Sequence, residues 1–346
     1  MSEVLVTGGN GFVGRHVVSA LQGRGDSVRV LALAGEDTRW LEQRGVVVYR
    51  GDVRGEETLL APTRGADAVL HLAAMMDVWR PLTDYHAVNV TGTENVCKAS
   101  LRAGVLRLVH MSSSSVYPMG LGRPVDEESP LEPFRDPYPI TKAASDLAVQ
   151  RMIAEHGLPA AIVRPDQIFG PGDHLHFKAI ADRLRTGRGI IVGSGKNAVP
   201  FVYVSDVVDG LLLALDQERA VGQAYNITSD RPLTQRQLLH TIAREVGAPP
   251  PRVRIPYGAL YAAGHAAERL ARLAGSGRRP PITRLGVAFF GTDNRFAIGK
   301  AGRELGYTPK VAVRDGIGLA AGWYRRRDSD GTTPAPAPRS MHEVIA

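Results

Sequence analysis

The feature that most constrains this chain is a glycine loop joining an apolar strand to a helix near the N-terminus. Val4–Thr7 is typical of a strand, and GGNGFVG follows it directly. In this context the first glycine permits a tight turn, the second lets the backbone approach a pyrophosphate, and the third lets the helix pack closely on the sheet. The helix N-terminus adds free N–H groups and a positive dipole end. The loop therefore predicts a dinucleotide site made by Gly8, Gly11, Phe12 and Gly14.

Short β-branched runs alternate with segments of helical spacing through the first part of the chain. The runs are almost continuously apolar, as expected for strands buried on both faces of a parallel sheet. They lie at Val4–Thr7, Val28–Leu33, Val46–Tyr49, Ala68–Leu72, Leu108–Ser112 and Ala160–Arg164. The alternation predicts an α/β fold built on a doubly wound parallel sheet, the Rossmann fold.

The pattern changes after Arg164, where Pro, Gly and His become frequent. Short strands are expected at Ile190–Val192, Phe201–Val204 and Ala224–Ile227, and helices near Thr234–Val246 and Tyr257–Leu273. We expect a smaller C-terminal substrate lobe, partly interleaved with the first domain. The predicted division assigns 1–165 and 201–230 to the dinucleotide-binding domain and 166–200 and 231–327 to the lobe. The Pro/Ala-rich residues 328–346 are expected to form a flexible tail.

Composition narrows the class of protein further. The net charge of +7 is spread over 346 residues with only 6% aromatics, which argues against a nucleic-acid partner. A single cysteine, Cys97, excludes a disulfide framework and a Cys-based zinc site. No run is long and apolar enough to span a membrane, and no signal peptide is recognisable. We expect a cytoplasmic protein without a metal, since Asp173, His174 and His176 lack a recognisable ligand spacing.

The type of dinucleotide is open at this level. An acid about 20 residues after the loop usually binds the ribose 2′-hydroxyl of NAD, whereas arginine accommodates the 2′-phosphate of NADP. No acid sits at the tip of the second strand, because Glu36 and Asp37 follow beyond its end. Arg15 and Arg39 are within reach of a 2′-phosphate. The cofactor is therefore NAD or NADP. Asp52, with Val53, is placed to contact the adenine, or it caps a turn.

Tyr138 and Lys142 form a YxxxK pair at the start of a predicted helix. Residues four apart share one helix face. A phenol is a poor base at neutral pH, but a nearby ammonium stabilises the phenolate and lowers its pKa. The pair can then exchange a proton with a hydroxyl or a carbonyl.

Four serines, Ser112 to Ser115, follow the fifth strand. In a doubly wound sheet, ligands bind beyond the carboxyl ends of the strands. A serine hydroxyl at this edge can hydrogen-bond a substrate oxygen as charge develops on it. The sequence alone does not choose among the four.

These motifs together resemble the extended short-chain dehydrogenases/reductases. The matching segments, in the order of that family, are TGGNGFVG, HLAA at His71–Ala74, NVTGT from Asn89, SSSSVY, YPITK, VRPDQIFGPGD from Val163 and VPFVYVSDVV from Val199. The C-terminal stretch is similar to the branch of 3β-hydroxysteroid dehydrogenases, sterol-4-carboxylate dehydrogenases and 2-alkyl-3-oxoalkanoate reductases.

The resemblance implies roles for individual residues. The catalytic set would be Ser113, Tyr138, Lys142 and Asn89, in which Lys142 also holds the nicotinamide ribose and Asn89 supports the helix and its proton relay. Further cofactor contacts would come from Ala73 and Pro165. Substrate contacts would come from Met75, Trp79, Ser115, Tyr138, Ile168 and His174. A homodimer is implied, paired through the helices around 89–103 and 140–156.

Three functions remain in view. The favoured one is an NAD(P)-dependent oxidoreductase that interconverts a secondary alcohol and a ketone on an apolar, sterol-like, 3-oxoalkanoate or polyketide-derived molecule. The alternative is a nucleotide-sugar epimerase, dehydratase or 4-ketoreductase, although Asp166 and Gln167 replace the asparagine-bearing pattern usual there. The third is a dinucleotide-binding regulator without turnover. Tyr257–Leu273 is expected to cover the substrate lobe, with weak peripheral membrane contact as the alternative.

Overall fold

The computed structural model describes residues 2–76 and 78–329, with backbone only for 327–329. The strands are β1 Glu3–Thr7, β2 Ser27–Ala32, β3 Val47–Arg50, β4 Ala68–His71, β5 Arg107–Met111, β6 Pro124–Val125, β7 Ala160–Pro165, β8 Gln167–Phe169, β9 Ile190–Val192, β10 Ala198–Val199, β11 Phe201–Tyr203, β12 Ala224–Ile227, β13 Leu233–Thr234, β14 Val253–Ile255 and β15 Arg295–Phe296.

The helices are α1 Phe12–Gly23, α2 Arg39–Glu42, α3 Glu57–Thr63, α4 Leu82–His86, α5 Gly92–Ala103, α6 Pro137–His156, α7 Phe177–Arg185, α8 Val204–Asp216, α9 Gln235–Glu245, α10 Tyr257–Leu273, α11 Arg284–Gly291, α12 Gly299–Leu305 and α13 Val313–Ser329. A π-helical turn, Ala87–Thr91, joins α4 to α5. Residues 328 and 329 of the expected tail end α13, and 330–346 lie outside the described residues.

Seven parallel strands form the main sheet, in the order β12-β7-β5-β4-β1-β2-β3. From β1 the chain winds outward through β2 and β3, and then returns to the other side of β1 with β4. This reversal puts the ligand crevice of a doubly wound sheet at the carboxyl ends of β1 and β4. The predicted doubly wound α/β fold is confirmed.

One strand departs from the expectation of burial on both faces. β3 is the edge of the sheet and pairs only with β2. Val47 is 53% exposed there. The apolar run was a correct signal for a strand, but composition does not specify position within the sheet, so this part of the prediction was wrong.

Helices cover both faces of the sheet because their apolar stripes are buried against it. On α1 the buried stripe is Val13, Val17, Val18 and Leu21, and it packs in one core with residues of α8. On the other face, α5 packs against α3 and α6. The two layers leave the carboxyl edge of the sheet open to ligands.

The second lobe is built from small sheets and helices beyond that edge. β8 pairs with β11, β9 with β14 and β10 with β13, while α7, α9 and α13 share a separate apolar core. β12 then returns to the main sheet beside β7. The exact domain bounds stay a prediction. None of the described helices is long and apolar enough to cross a membrane.

Candidate active site

The glycine loop is closed so tightly that side chains are excluded from two of its positions. Gly8 has φ +71°, and a Cβ there would lie 2.8 Å from the Ala73 backbone nitrogen. A Cβ on Gly14 would lie 2.1 Å from the Gly8 carbonyl oxygen. Gly11 precedes the first turn of α1, which lines the cavity through Phe12, Val13 and Gly14 and whose first N–H groups have no partner within the helix. The loop thus fits the pyrophosphate of a dinucleotide.

The cavity has a volume of about 1810 Å³ and runs from this loop into the second lobe. This exceeds the range of roughly 300–1,000 Å³ usual for a single small-molecule site. Predicted residues that line it are Gly8, Gly11, Phe12, Gly14, Asp52, Val53, Ala73, Trp79, Ser113, Ser115, Tyr138, Pro165, Ile168 and His174. One continuous space therefore has room for a dinucleotide and a second molecule.

At the adenosine end, carboxylates lie closer to the cavity than the sequence suggested. Glu36 and Asp37 both line it. Arg39 is paired with Asp37 at 2.6 Å, and Arg15 donates to the side-chain oxygen of Asn10 at 2.9 Å. Burial raises the pKa of Glu36, opposed by a hydrogen bond with Asn10. The loop after β2 folds back and brings these acids to the edge.

Asp52 caps a turn and also lines the cavity, and its contact with the adenine stays a prediction. Its carboxylate accepts from the Arg54 backbone nitrogen at 2.9 Å, which caps the turn after β3, and pairs with the Arg54 guanidinium at 2.7 Å. It also lines the cavity beside Val53. The turn and the cavity wall are the same structure.

Tyr138 begins α6, where Asp136 caps the helix by accepting from the Tyr138 backbone nitrogen at 3.3 Å. Its side chain lines the cavity, and the phenol lies beside the Ser113 side chain. Burial raises the pKa of Tyr138, and the interaction with Ser113 opposes that shift. The sequence expectation was a pKa lowered by Lys142, and the structure corrects it.

The reason lies in the position of the lysine. Lys142 is 2% exposed and its Nζ donates to the Met111 carbonyl oxygen at 2.7 Å. The ammonium is thus engaged with the end of β5. Burial lowers the pKa of Lys142 to about 8, opposed by Asp146.

Asn89 lies beneath α6 in the π-helical turn and is 1% exposed. Its Nδ2 donates to the Met75 carbonyl oxygen and to Thr141 Oγ1, each at 3.0 Å, and its Oδ1 accepts from the Met75 backbone nitrogen at 2.7 Å. It ties the loop after β4 to the residue beside Lys142. A proton-relay role stays a prediction.

Met75 requires a correction. It is 2% exposed and packs in the core with Tyr85 and Val88. Among the described residues of this loop, Met76 lines the cavity in its place. Asn89 holds both backbone groups of Met75, which turns the side chain inward, so a substrate contact does not follow.

The four serines are separated by their partners. Ser112 donates to Asp146 at 2.6 Å, and Ser114 donates to Asp166 at 3.0 Å. Ser113 Oγ accepts from the Ser115 backbone nitrogen at 3.1 Å and lies beside the Tyr138 phenol. The buried Ser115 oxygen has no hydrogen-bond partner among the described residues and lies in the cavity wall. The geometry favours Ser113 and Ser115 as the ligand-facing pair.

Sequence reasoning missed a buried ion pair under this site. Asp146, fully buried on α6, accepts from Nε and Nη2 of Arg164 at 2.8 Å each. It also accepts from Ser112 and from Gln150. An acid four residues after Lys142 and an arginine inside an apolar strand were the available signals. The pair joins α6 and β7 to the segment from Ser112 to Ser115, which we call the serine loop.

The lobe forms the far wall of the cavity. α10 packs on the segment before α11, where a Cβ on Gly264 would lie 3.1 Å from the Thr283 backbone. The wall is largely apolar and includes Leu260, Ile282, Leu285, Phe289 and Phe290. Arg183, Arg188, Arg272 and Arg279 also line it. The expected cover over the substrate lobe is present, and membrane contact stays a prediction.

Residues 4–228 match the family model described as the NAD dependent epimerase/dehydratase family. The chain belongs to that family, which is the extended short-chain class expected from the motifs. A nicotinamide dinucleotide is therefore its cofactor, with NAD or NADP still to be decided.

Three similar proteins show which kinds of enzyme in the family this chain resembles. A 2-alkyl-3-oxoalkanoate reductase of Stenotrophomonas maltophilia (strain K279a) is 35% identical, over 91% of this chain and 97% of the relative. A 3-beta-hydroxysteroid dehydrogenase of Mycolicibacterium neoaurum is 30% identical, over 94% of this chain and 92% of the relative. The dTDP-glucose 4,6-dehydratase DesIV of Streptomyces venezuelae, solved with NAD bound, is 28% identical with a TM-score of 0.76. This match covers 94% of this chain and 98% of that structure. The predicted NAD(P)-dependent oxidoreductase is confirmed.

Proposed function

We propose that the chain interconverts a secondary alcohol and a ketone on an apolar 3-oxoalkanoate or sterol-like substrate. The observation that carries this is the Tyr138 phenol, which lies beside Ser113 in a cavity that continues into the lobe's apolar wall. The names of the two curated relatives, a reductase and a dehydrogenase, support the same chemistry.

Each residue of the site has a task in this proposal. The glycine loop would hold the dinucleotide, which when bound would supply or accept the hydride exchanged with the carbinol carbon. Tyr138 Oη donates a proton to the ketone or accepts one from the alcohol, and Ser113 orients the reacting oxygen. Lys142 holds α6 to the end of β5 through the Met111 carbonyl oxygen, and its contact with the nicotinamide ribose stays a prediction.

We also propose NAD as the preferred cofactor. The support is the Glu36 carboxylate in the cavity wall, together with the pairing of Arg39 to Asp37 and of Arg15 to Asn10. A carboxylate repels a 2′-phosphate and accepts from a 2′-hydroxyl.

Glu36→Gln tests this preference. The substitution should raise affinity for NADP relative to NAD by about tenfold, because a repulsive charge is removed. The measurement is the ratio of the two dissociation constants, with Glu42→Gln on α2 as control. An unchanged ratio contradicts the assignment.

A nucleotide-sugar function remains the second candidate. Four arginines line the lobe wall and could bind a diphosphate, and the similar dehydratase was solved with a nucleotide ligand. Against it, Asp166 and Gln167 stand where that branch usually carries asparagine.

The deciding experiment is cofactor turnover with 3-oxo acids, steroids, aromatic polyketides and nucleotide sugars, using both NAD(H) and NADP(H). We expect turnover with the 3-oxo acids or steroids. Calorimetry with UDP and dTDP runs in parallel. Micromolar binding of either nucleotide, without turnover of apolar ketones, overturns the proposal.

Two further assignments complete the proposal. A homodimer would pair α5 and α6, where Leu147 is 47% exposed. Light scattering of the protein and of Leu147→Asp tests this pairing.

The single cysteine, Cys97, is buried, which supports a location in a reducing cytoplasm. Subcellular fractionation tests this location.

A further inference from the structure

Asp166 is a buried carboxyl group that the proposed reaction does not use. It follows Pro165 at the end of β7, is 5% exposed, and lines the cavity together with Ser114 and Ser115. It is also one of the two residues, with Gln167, at which this chain departs from the nucleotide-sugar pattern.

The partners of Asp166 are all neutral. Oδ1 accepts from Ser114 Oγ at 3.0 Å and Oδ2 accepts from Thr228 Oγ1 at 2.8 Å, and the Gln167 backbone N–H is a third donor. Among the described residues no cation pairs with it, because Arg164, two positions earlier, is bound to Asp146. A buried carboxylate without a counter-ion is costly and favours any cation brought beside it.

We propose that Asp166 supplies the counter-charge for the oxidised cofactor, so that the protein distinguishes NAD⁺ from NADH by the ionisation of this one carboxyl group. The oxidised nicotinamide ring carries a positive charge and the reduced ring carries none. Pro165 is a predicted cofactor contact, and Asp166 is the next residue in the same cavity wall. The inference rests on the proposed binding of a nicotinamide dinucleotide here.

The ionisation falls in an accessible range. Burial raises the pKa of Asp166 to about 7, and the hydrogen bonds from Thr228 and Ser114 oppose that shift. NAD⁺ should therefore bind more tightly above neutral pH, where the carboxylate is charged, and should release a proton on binding.

Other titratable groups lie around Asp166 and in the same cavity, and the Asp166→Asn variant distinguishes their effect from that of Asp166 because it leaves all of them in place. Tyr307 donates to the Thr228 carbonyl oxygen at 3.1 Å, and its raised pKa keeps it neutral. Tyr138 on α6, and Asp173, His174 and His176 beyond β8, line the same cavity. Glu36, Asp37 and Asp52 lie at the adenosine end, which NAD⁺ and NADH share, so their titration cancels in the ratio of the two affinities.

The test is the dissociation constant of NAD⁺ and of NADH, measured by calorimetry between pH 5.5 and 8.5 in two buffers of different ionisation enthalpy. The Tyr138→Phe background removes titration of the phenol. We expect NAD⁺ affinity to rise about tenfold across the range, with proton release, and NADH affinity to change much less. Asp166→Asn keeps the size of the side chain. It should abolish the difference between the pH dependence of NAD⁺ affinity and that of NADH affinity.

Thr228→Val provides an independent variant. It removes one donor to the carboxylate, so the midpoint of the NAD⁺ transition should move to higher pH. Circular dichroism checks that both variants fold. An Asp166→Asn protein with the wild-type pH dependence, or equal dependence for NAD⁺ and NADH, overturns the inference. Absence of binding by either nucleotide at any pH would instead contradict the proposed function.

Discussion

The floor of the cavity is formed by α6, the end of β7 and the serine loop, and its far wall is formed by the second lobe. The two regions are held together by different kinds of interaction. In the floor, Asp146 joins α6, β7 and the serine loop through three buried hydrogen bonds, one from Ser112 and two from Arg164, and Asn89 joins the loop after β4 to α6. In the wall, α10 leaves Leu270 and Leu273 exposed, and Arg272 stacks over Trp79 with 5.2 Å between guanidinium and ring centre.

The difference matches the two tasks. Proton transfer needs atoms held within tenths of an ångström, which directional buried hydrogen bonds provide. Recognition of an apolar molecule needs volume and dry surface, which packed side chains supply with some freedom to adjust. Substitutions in the floor should therefore affect turnover and folding, and substitutions in the wall should affect substrate affinity.

The largest effect is expected at the phenol. Tyr138→Phe removes the proton donor while keeping the ring, so kcat should fall about 10³-fold. NAD affinity, measured by calorimetry, should change little. Activity that survives this substitution would show that another group moves the proton.

Asp146→Asn should produce the second largest effect, on stability. It leaves the buried Arg164 guanidinium without a counter-charge, which costs about 3 kcal/mol. The free energy of unfolding in urea measures it.

The matched control is Asp216→Asn. Its bidentate pair with Arg24, at 2.9 Å for both bonds, is exposed, so the loss should stay below about 1 kcal/mol. Similar losses at the two positions would mean that burial of the Asp146 pair does not matter.

In the wall, Phe289→Ala should raise KM for the apolar substrate about tenfold with kcat nearly unchanged, because it removes apolar contact area. Phe289 lines the cavity and packs edge-to-face on Phe290. Leu319→Ala on α13, an exposed position, serves as control. A fall in kcat with constant KM would place Phe289 with the floor.

The smallest effect is a pH dependence of stability. The folded-state pKa of Lys142, about 8, lies below the usual value of about 10.4. Between these values the unfolded chain binds more protons, so the contribution of Lys142 to stability rises with pH. The measurement is the free energy of unfolding in urea, at pH 7.5 and 9.5, of the wild-type protein and of Lys142→Met. The difference between the two proteins should increase with pH. A difference that is constant with pH would contradict the buried, depressed lysine.

Much of the fold was predictable because its signals are local. The apolar run Ala160–Arg164 and the loop from Gly8 to Gly14 each specify an element and its turn through neighbouring residues. The prediction of burial failed at β3, since an apolar composition does not say which strand ends the sheet. The candidate site was predictable as a set of residue types, and less so as contacts. Met75 and Met76 are adjacent, and only the hydrogen bonds from Asn89 decide which of them turns inward.

The sequence by itself determined the dinucleotide loop, the alternation of strands and helices, and the presence of a phenol and an ammonium one helical turn apart, because these depend on spacing along the chain. Only the tertiary structure decided which of four serines meets the phenol, that burial raises the pKa of that phenol, and that Asp166 has no cation beside it in the part of the chain that the structure describes. Hydrogen-bond partners and desolvation come from residues far apart in the chain, and they exist only once the strands lie side by side.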